Sequence, residues 1–212
     1  DLKTKKVEKY GSNEKVSSGF KARSVRVLLK DSKGGIWIGT PEGLYYIANP
    51  QDPVLAFRHV VEDGMICSLL EDGEGKIWVG FYKKGLFRLD PEGSVEEIYS
   101  KDNGLPGNSV FGILKDDKAQ VWLSTEKGLA KINRADNSVT DYNYSDGLAN
   151  LEYNFNAAYK SRSGEMFFGG TMGFTSFFPE KIHTNTFVPP VVFTSLSSAN
   201  NLVRPNDNTG LI

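Results

Sequence analysis

One short apolar pattern with an aromatic anchor recurs four times along this chain of 212 residues. The copies read IWIGTPEGLYYI from residue 36, IWVGFYKKGLFRL from 77, VWLSTEKGLAKI from 121 and MFFGGTMGFTSF from 166. The anchors, each with the glycine that follows it, are Trp37 and Gly43, Trp78 and Gly85, Trp122 and Gly128, and Phe167 and Gly173. Successive anchors are 41, 44 and 45 residues apart. A nearly constant period of this length is typical of repeat architectures.

Each unit is predicted to contain four short strands. An apolar run precedes each anchor, and a turn rich in Asp, Ser and Gly separates the two. The apolar runs lie at residues 25–29, 66–70, 110–114 and 155–159. Segments of alternating polar and apolar residues close three units, at residues 57–61, 95–99 and 139–144. No stretch keeps the i, i+3, i+4, i+7 spacing of a helix for three turns, which argues against helical repeats of similar period.

The hydrophobic pattern indicates which β fold the strands form. The first and second strands are apolar on consecutive residues, as at 36–38, so both faces of their sheet are covered. The last strand alternates, as in VTDYNY from residue 139, which suits an outer strand facing water. Sheets of this kind, repeated every 41–45 residues, are typical of β-propeller blades. The expected fold class is therefore all-β, with four four-stranded repeats.

The units resemble the two-component regulator propeller repeat, of the form D-x-x-G-x-I-W-[IV]-G-T-x-x-G-[LI]. That repeat often carries Y-x-x-x-D-G-L-x-x-N-x-[VI] between units, and YSKDNGLPGNSV from residue 99 and YSDGLAN from residue 144 are similar to it. GEMFFGGTMGFTSFFPEKI from residue 164 resembles the unit that ends such propellers, and PPVVFTSL from 189 resembles the start of the Ig-like (Y_Y_Y-type) domain that follows. The chain departs from the pattern at Ser124, where the family has Gly, and at Phe167, where it has Trp.

The resemblance implies the periplasmic sensor region of a hybrid two-component system histidine kinase/response regulator, of the kind that controls polysaccharide utilisation. The chain is then expected to be a fragment of a larger propeller, and to reach a membrane only through the parent protein. Residues 1–183 would form the propeller segment, and residues 184–212 a linker and the start of the sandwich. Residues 1–12 would end a preceding blade. The repeats would cover about residues 20–61, 62–99, 105–144 and 150–182.

Composition and motifs argue against chemistry in this segment. Lys plus Arg is 25 and Asp plus Glu is 26, a formal charge of −1, so the basic excess that nucleic-acid binding usually shows is missing. The sequence has no Walker-type phosphate loop and no nucleophile elbow. The single Cys67 cannot form a disulfide within the chain, and His59 and His183 have no partner at metal-ligand spacing. We therefore expect no catalytic residue, metal, cofactor or nucleic-acid contact, and a solvated His59 on an outer strand.

Polar and aromatic residues gather at turns that would share one face of a propeller, near its central channel. The predicted ligand-binding residues are Arg23, Arg26, Tyr82, Lys83, Asn108, Glu126, Tyr153 and Asn154. Aromatic faces beside amide and guanidinium donors suit sugar recognition, by stacking and hydrogen bonding. The competing interpretation is structural, with Asn108 and Asn154 capping turns and Arg26 pairing with a neighbouring blade.

The preferred functional hypothesis is a non-catalytic sensor segment that binds an oligosaccharide, or relays its binding to a downstream histidine kinase. The alternatives are a structural or dimerisation propeller segment without a ligand, and a propeller glycan hydrolase or lyase. Self-association is expected, because an arc of about four blades exposes an apolar face at each end. Residues 5–10 could instead pair with the last unit and close a small ring.

Overall fold

The computed structural model describes residues 20–52 and 55–182, and the backbone of two short strands at 196–198 and 201–203. The chain divides into two compact units, Asp1–Lys181 and Ile182–Ile212. Residues 1–12, predicted to end a preceding blade, lie outside the described residues, as does His183. The boundaries of the repeats and of the sandwich stay predictions. None of the described helices is long and apolar enough to cross a membrane.

The first unit consists of three four-stranded antiparallel sheets and one three-stranded sheet, which are four blades. Blade 1 contains β1 Val27–Lys30, β2 Ile36–Thr40, β3 Gly43–Ile47 and β4 Arg58–Val61. Blade 2 contains β5 Ile66–Glu71, β6 Ile77–Phe81, β7 Leu86–Leu89 and β8 Val95–Tyr99. Blade 3 contains β9 Val110–Lys115, β10 Val121–Thr125, β11 Gly128–Ile132 and β12 Val139–Tyr142. Blade 4 contains β13 Tyr153–Lys160, β14 Met166–Gly170 and β15 Gly173–Phe177.

Strands that follow one another in sequence pair side by side in every blade, so each blade is a simple meander. Short 3₁₀ helices follow three of the blades, at Lys101–Asn103, Tyr144–Asp146 and Pro179–Lys181. In the second unit, β16 Leu196–Ser198 pairs with β17 Asn201–Val203. The predicted all-β propeller fold is confirmed. Blade 4 has three strands among the described residues rather than the four predicted for each repeat, and no alternating segment closes its unit in the sequence.

An aspartate in the turn between the first and second strands holds each tryptophan anchor. In blade 1 one carboxylate oxygen of Asp31 accepts the backbone N–H groups of Lys33 and Gly35, at 3.0 and 2.8 Å. The other oxygen accepts the indole N–H of Trp37 at 3.0 Å. One side chain thus closes the turn and satisfies a buried indole donor, which would otherwise be costly. The turn aspartate is therefore structural.

The same bond recurs in the next two blades and is replaced in the last. Its indole N–H to carboxylate distances are 2.9 Å for Asp72–Trp78 and 3.1 Å for Asp116–Trp122. In blade 4 both partners change together, since Ser161 takes the place of the aspartate and Phe167 that of the tryptophan. The Ser161 hydroxyl still accepts the Glu165 N–H at 3.0 Å, so it keeps the turn closed without serving an indole.

Each tryptophan lies on the face of its blade that meets the following blade. Trp37 packs in a cluster with side chains of β5, β6 and β7, and Trp78 packs with side chains of β9, β10 and β11. The Trp122 ring lies 4.8 Å from the ring of Phe177 in blade 4. All three indoles are at most 2% exposed. The anchors therefore fill the space between neighbouring blades.

The two ends of the arc are unequally covered. Phe167 packs against Tyr159 and Phe174 on the outer face of blade 4, with ring centroids 6.4 and 5.9 Å away. Tyr159 is 63% exposed and Phe174 is 71% exposed. On the outer face of blade 1, Phe20 and Phe57 cover the buried side chains of β2 and β3. The expected apolar exposure is therefore found at blade 4 and only in part at blade 1.

A glycine lies at the start of the third strand or directly before it, and in blades 1 to 3 the fourth strand passes too close to it for a side chain. Gly85 has a φ of 87°, and a Cβ there would lie 2.1 Å from the Tyr99 carbonyl oxygen. Gly43 and Gly128 are crowded by β4 and β12 in the same way. Nothing lies within 4 Å of the Cβ position at Gly173, where no fourth strand is described. This glycine is explained by its φ of 113° alone.

A network of charged groups joins blade 2 to blade 3 around Trp78. The guanidinium of Arg88, which is 5% exposed, donates to Asp72 at 3.1 Å and to Glu97 at 3.0 Å. Arg134 of blade 3 donates to both oxygens of Glu97, at 2.9 and 3.1 Å. The two guanidiniums lie 5.6 and 5.1 Å from the Trp78 ring centroid. A buried aromatic ring and a bidentate ion pair therefore stabilise the same interface.

Both acids of this network ionise more easily than usual. Burial opposes ionisation of Asp72, but hydrogen bonds from Trp78, from backbone amides and from Arg88 outweigh it and lower the pKa of Asp72. Burial likewise opposes ionisation of Glu97, but hydrogen bonds from Arg134 and from the Tyr99 hydroxyl outweigh it and lower its pKa. Their charged forms therefore contribute to stability at neutral pH.

Replacing Asp116 by Ala is expected to destabilise the fold, since the buried indole N–H of Trp122 and two backbone amides lose their acceptor. The cost is about 1–3 kcal/mol for the indole N–H alone. Asp117→Ala is the matched control, because its side chain is 85% exposed and forms only a surface ion pair with Lys160. That control is expected to lose about 0–1 kcal/mol. Equal urea midpoints for the two variants would refute a structural role for Asp116.

Acid is expected to weaken the interface between blades 2 and 3. The folded-state pKa values of Asp72 and Glu97 lie below the ordinary 3.8 and 4.5, so their contribution is complete above those values and is lost as pH falls through the folded-state pKa values. Arg134→Leu should cost about 1–3 kcal/mol at pH 7 and should reduce the loss of stability between pH 6 and pH 3. Lys118→Met, at an exposed turn, should change neither quantity. Urea unfolding at each pH measures both, and parallel pH curves for the wild type and Arg134→Leu would contradict the proposed coupling.

Candidate functional site

One aromatic side chain, Phe155, brings together residues from all four blades. Its ring lies 4.8 Å from that of Phe111 in blade 3 and 6.3 Å from that of Tyr82 in blade 2. The guanidinium of Arg26, directly before β1 of blade 1, lies 5.6 Å from the Phe155 ring centroid. The ammonium of Lys83 lies 4.9 Å from the Tyr82 ring centroid. We give the name mouth cluster to these five residues, Arg26, Tyr82, Lys83, Phe111 and Phe155. Three of them lie at the beginnings of the inner strands β1, β9 and β13, and Tyr82 and Lys83 lie in the turn after β6.

A long bulge in β13 carries Phe155 into this cluster. Residues 154–157 face a single residue of β14, whereas at the same place in β5 and β9 only one residue, Cys67 or Phe111, is inserted. Phe155 is 47% exposed, and the neighbouring Asn156 has a φ of 52°. Bulges bend a strand and redirect its side chains, and they are frequent beside functional sites.

The turn after β6 is one residue longer than its counterparts and carries Tyr82 and Lys83. Lys83 has a φ of 63°, a left-handed conformation that is uncommon for lysine. The turn is held by backbone bonds, because the Tyr82 N–H donates to the Met65 carbonyl at 2.9 Å and the Lys83 N–H to the Ser109 hydroxyl at 3.3 Å. The exposed lysine side chain therefore projects from a fixed backbone position.

Three of the eight predicted binding residues have structural partners. The two carboxylate oxygens of Glu126 accept the backbone N–H groups of Asn108 and Ser109, at 3.0 and 2.7 Å. The amide oxygen of Asn108 accepts a backbone N–H of the preceding 3₁₀ helix at 2.8 Å. Tyr153 is 5% exposed, and its hydroxyl shares a hydrogen bond with Thr175 at 2.9 Å. For these three residues the structure supports the structural alternative.

The other five predicted residues are available to a ligand. Arg26, Tyr82 and Lys83 belong to the mouth cluster, and Arg23 and Asn154 are exposed. Arg26 contacts the Phe155 ring of blade 4 and has no carboxylate at salt-bridge distance within residues 20–52 and 55–182.

The main residue that sequence analysis missed is Phe155, which was interpreted only as part of a strand. A signal was present in the spacing of the units. Asn108 and Trp122 are 14 residues apart, whereas Asn150 and Phe167 are 17 residues apart. Two of the three additional residues correspond to the longer bulge in β13, and the third lies between Asn150 and Tyr153.

The side chains with nucleophilic or metal-binding potential serve the core. Burial raises the pKa of the Cys67 thiol to about 12, despite a lowering influence of Arg26, so the thiol is protonated at neutral pH. The prediction that His59 is solvated is wrong, because its ring is half-buried and stacks on Tyr45 at 4.2 Å. Within the part of the chain that the structure describes, no group of three or more His, Cys, Asp or Glu residues is placed to hold a metal.

Known proteins share this repeat and this fold. The sequence model of the family described as Two component regulator propeller matches residues 19–42. Histidine kinase P4 of Formosa agariphila is 33% identical over 187 residues, which make up 84% of this chain and 14% of the kinase. The chain carries two-component regulator propeller repeats. It spans only a small part of the kinase to which it is similar.

Solved structures similar to this regulator propeller are also propellers. The extracellular domain of a putative hybrid two component system from B. thetaiotaomicron has a TM-score of 0.64 and 21% identity, over 74% of this chain and 23% of that chain. A gluconolactonase from Xanthomonas campestris has a TM-score of 0.55 and 13% identity, over 76% of this chain and 59% of that chain. Similarity at these identities shows the shared fold.

Stability measurements should separate the structural candidates from the binding candidates. Glu126→Ala is expected to cost about 1–3 kcal/mol, because two partly buried backbone amides lose their acceptor. Lys83→Gln is expected to stay within about 0.5 kcal/mol of the wild type, since this exposed side chain forms no described ion pair. Urea denaturation of both variants tests this. A large loss for Lys83→Gln would make Lys83 a structural residue.

Proposed function

We propose that this regulator propeller is a non-catalytic sensor segment in the periplasmic part of a hybrid two-component histidine kinase, and that a saccharide binds at the mouth cluster. Similarity to Histidine kinase P4 supports a place in a sensor kinase. Similarity to the extracellular domain of the putative hybrid two component system from B. thetaiotaomicron supports a segment outside the cytoplasm. The family match at residues 19–42 supports a regulator propeller.

The observation that carries the proposal is the contact of Phe155 with residues of the other three blades. Its ring is 47% exposed and lies beside Tyr82, so two aromatic faces are available to stack on a pyranose ring. Arg26 and the exposed Asn154 supply donors for sugar hydroxyls and ring oxygens. An aromatic platform with a few polar groups around it is typical of small-molecule sites.

The position of the site also suggests how binding is relayed. A ligand on Phe155 would contact side chains from blades 1 to 4, so its binding energy depends on how those blades are arranged. A ligand that prefers one arrangement shifts the population toward it. The proposed signal is therefore a change in how the four blades pack against one another. This change would be passed on to the kinase of the parent protein.

Calorimetry of the 212-residue chain with a panel of plant and algal oligosaccharides tests the proposal. We expect saturable heat without product formation. Phe155→Ala should weaken binding about three- to tenfold, the equivalent of the 0.5–1.5 kcal/mol of an aromatic contact. Phe174→Ala is the matched control, because this exposed phenylalanine lies on the outer face of the same blade.

The other outcomes separate the competing functions. Heat accompanied by product would support a hydrolase or lyase, and would overturn the non-catalytic proposal. The absence of binding throughout the panel would favour a structural segment without a ligand. Equal losses in Phe155→Ala and Phe174→Ala would place the ligand elsewhere.

A dimerisation role is the second candidate, and the exposed aromatic face of blade 4 favours it. Tyr159 and Phe174 flank Phe167 there, and Met172 beside them is 82% exposed. Apolar patches of this kind often mark interfaces. Light scattering over a concentration series should show self-association that Phe174→Glu abolishes. A chain that remains monomeric at every concentration would exclude this role for the isolated segment.

A further inference from the structure

We infer that the mouth cluster binds an anionic saccharide, one that carries a carboxylate or sulfate group, rather than a neutral one. This inference rests on the proposed function and adds the chemical class of its ligand. In the inferred mode the sugar ring lies on Phe155 and Tyr82, and its anionic group is held by Arg26 or Lys83.

Uncompensated positive charge is the first argument. Among the eight candidate residues, Arg23, Arg26 and Lys83 are cations and Glu126 is the single carboxylate. The oxygens of Glu126 already accept two backbone N–H groups, so this carboxylate is occupied by the loop that it holds. Neither Arg26 nor Lys83 has a carboxylate at salt-bridge distance within residues 20–52 and 55–182.

A comparison of two adjacent lysines shows that the pairing is selective. Lys84 forms an ion pair with Asp63 at 2.5 Å, at the edge of the same turn. Lys83 instead lies over the Tyr82 ring, with its ammonium 4.9 Å from the ring centroid. Because Lys83 has a left-handed φ, its side chain leaves the backbone in a different direction from the side chain of Lys84. One cation is thus neutralised by the protein, and the other is left beside an aromatic surface.

The arrangement of the rings gives the second argument. Arg26 lies over Phe155, Phe155 lies beside Tyr82, and Lys83 lies over Tyr82, so a cation stands at each end of an aromatic pair. A neutral sugar would use the rings and offer no charge to either cation. An acidic sugar can stack on a ring while its charged group, at the ring edge, accepts hydrogen bonds from the guanidinium or the ammonium. Such charge-assisted bonds are about twice as strong as neutral ones.

The test uses two matched pairs of probes with the 212-residue chain. One pair is tetragalacturonate and its fully methyl-esterified form, and the other is a κ-carrageenan tetrasaccharide and its desulfated form. At least one anionic probe should bind about tenfold or more tightly than its neutral partner, with an affinity that falls as salt is added. The pair that discriminates shows whether the anionic group is a carboxylate or a sulfate.

Variants then locate the charge that is responsible. At least one of Arg26→Gln and Lys83→Gln should reduce binding of the anionic probe about tenfold, and should weaken binding of its neutral partner much less. Lys84→Gln is the control, because it removes one positive charge from the same turn but from a lysine already paired with Asp63. Circular dichroism verifies that each variant is folded.

Each remaining outcome contradicts a defined part of the argument. Equal binding of the anionic and neutral partners would overturn the inferred ligand class and leave the proposed saccharide site intact. Losses in Arg26→Gln and Lys83→Gln that are no larger than the loss in Lys84→Gln would show general electrostatic attraction and would overturn a direct contact. Binding of no probe, together with silence in the wider panel, would overturn the proposed function itself.

Discussion

The hydrogen bond from a tryptophan indole to a turn aspartate is the interaction on which the rest of the propeller depends. In blade 1, Asp31 closes the turn between two strands and holds Trp37 on the face that meets blade 2. Because the bond lies between the first two strands, it sets the strand register and the inter-blade surface together. Its recurrence in blades 2 and 3 makes these three blades copies of one another, and each presents the same indole to the blade that follows it.

The sequence predicted the features of the fold that follow from the repeat. The period and the anchors were sufficient for the all-β propeller, because an apolar pattern on both faces requires stacked sheets. The glycine at the start of the third strand could be recognised from its spacing after the anchor. The reason for it, a carbonyl oxygen that would lie 2.1 Å from a Cβ at Gly85, became apparent only from the coordinates. The roles of Glu126 and Tyr153 were not readable, since a side chain that bonds to backbone or core looks the same in sequence as one that faces a ligand.

The departures from the repeat were more informative about function than the repeat itself. The extra residue in the turn after β6 supplies Lys83, and the extra residues in β13 supply Phe155. Both departures produce left-handed backbone at a residue other than glycine, at Lys83 and Asn156, which the fold alone does not require. The first was predicted as part of a binding face. The second was missed, because Phe155 reads as an ordinary strand residue until the strand pairing shows that it lies in a bulge.

Blade 4 differs from the other blades in three ways, and its place in the arc explains only two of them. The absence of a described fourth strand leaves the Cβ position of Gly173 unobstructed, and the absence of a described following blade leaves Phe167 without a cluster to fill. The long bulge in β13 is different, because it lies on the inner strand, beside Phe111 of blade 3 and far from the exposed face. Neither the end of the arc nor the packing of blade 3 requires four residues opposite one. The proposed saccharide site would account for the bulge, because the bulge brings Phe155 into contact with the other three blades.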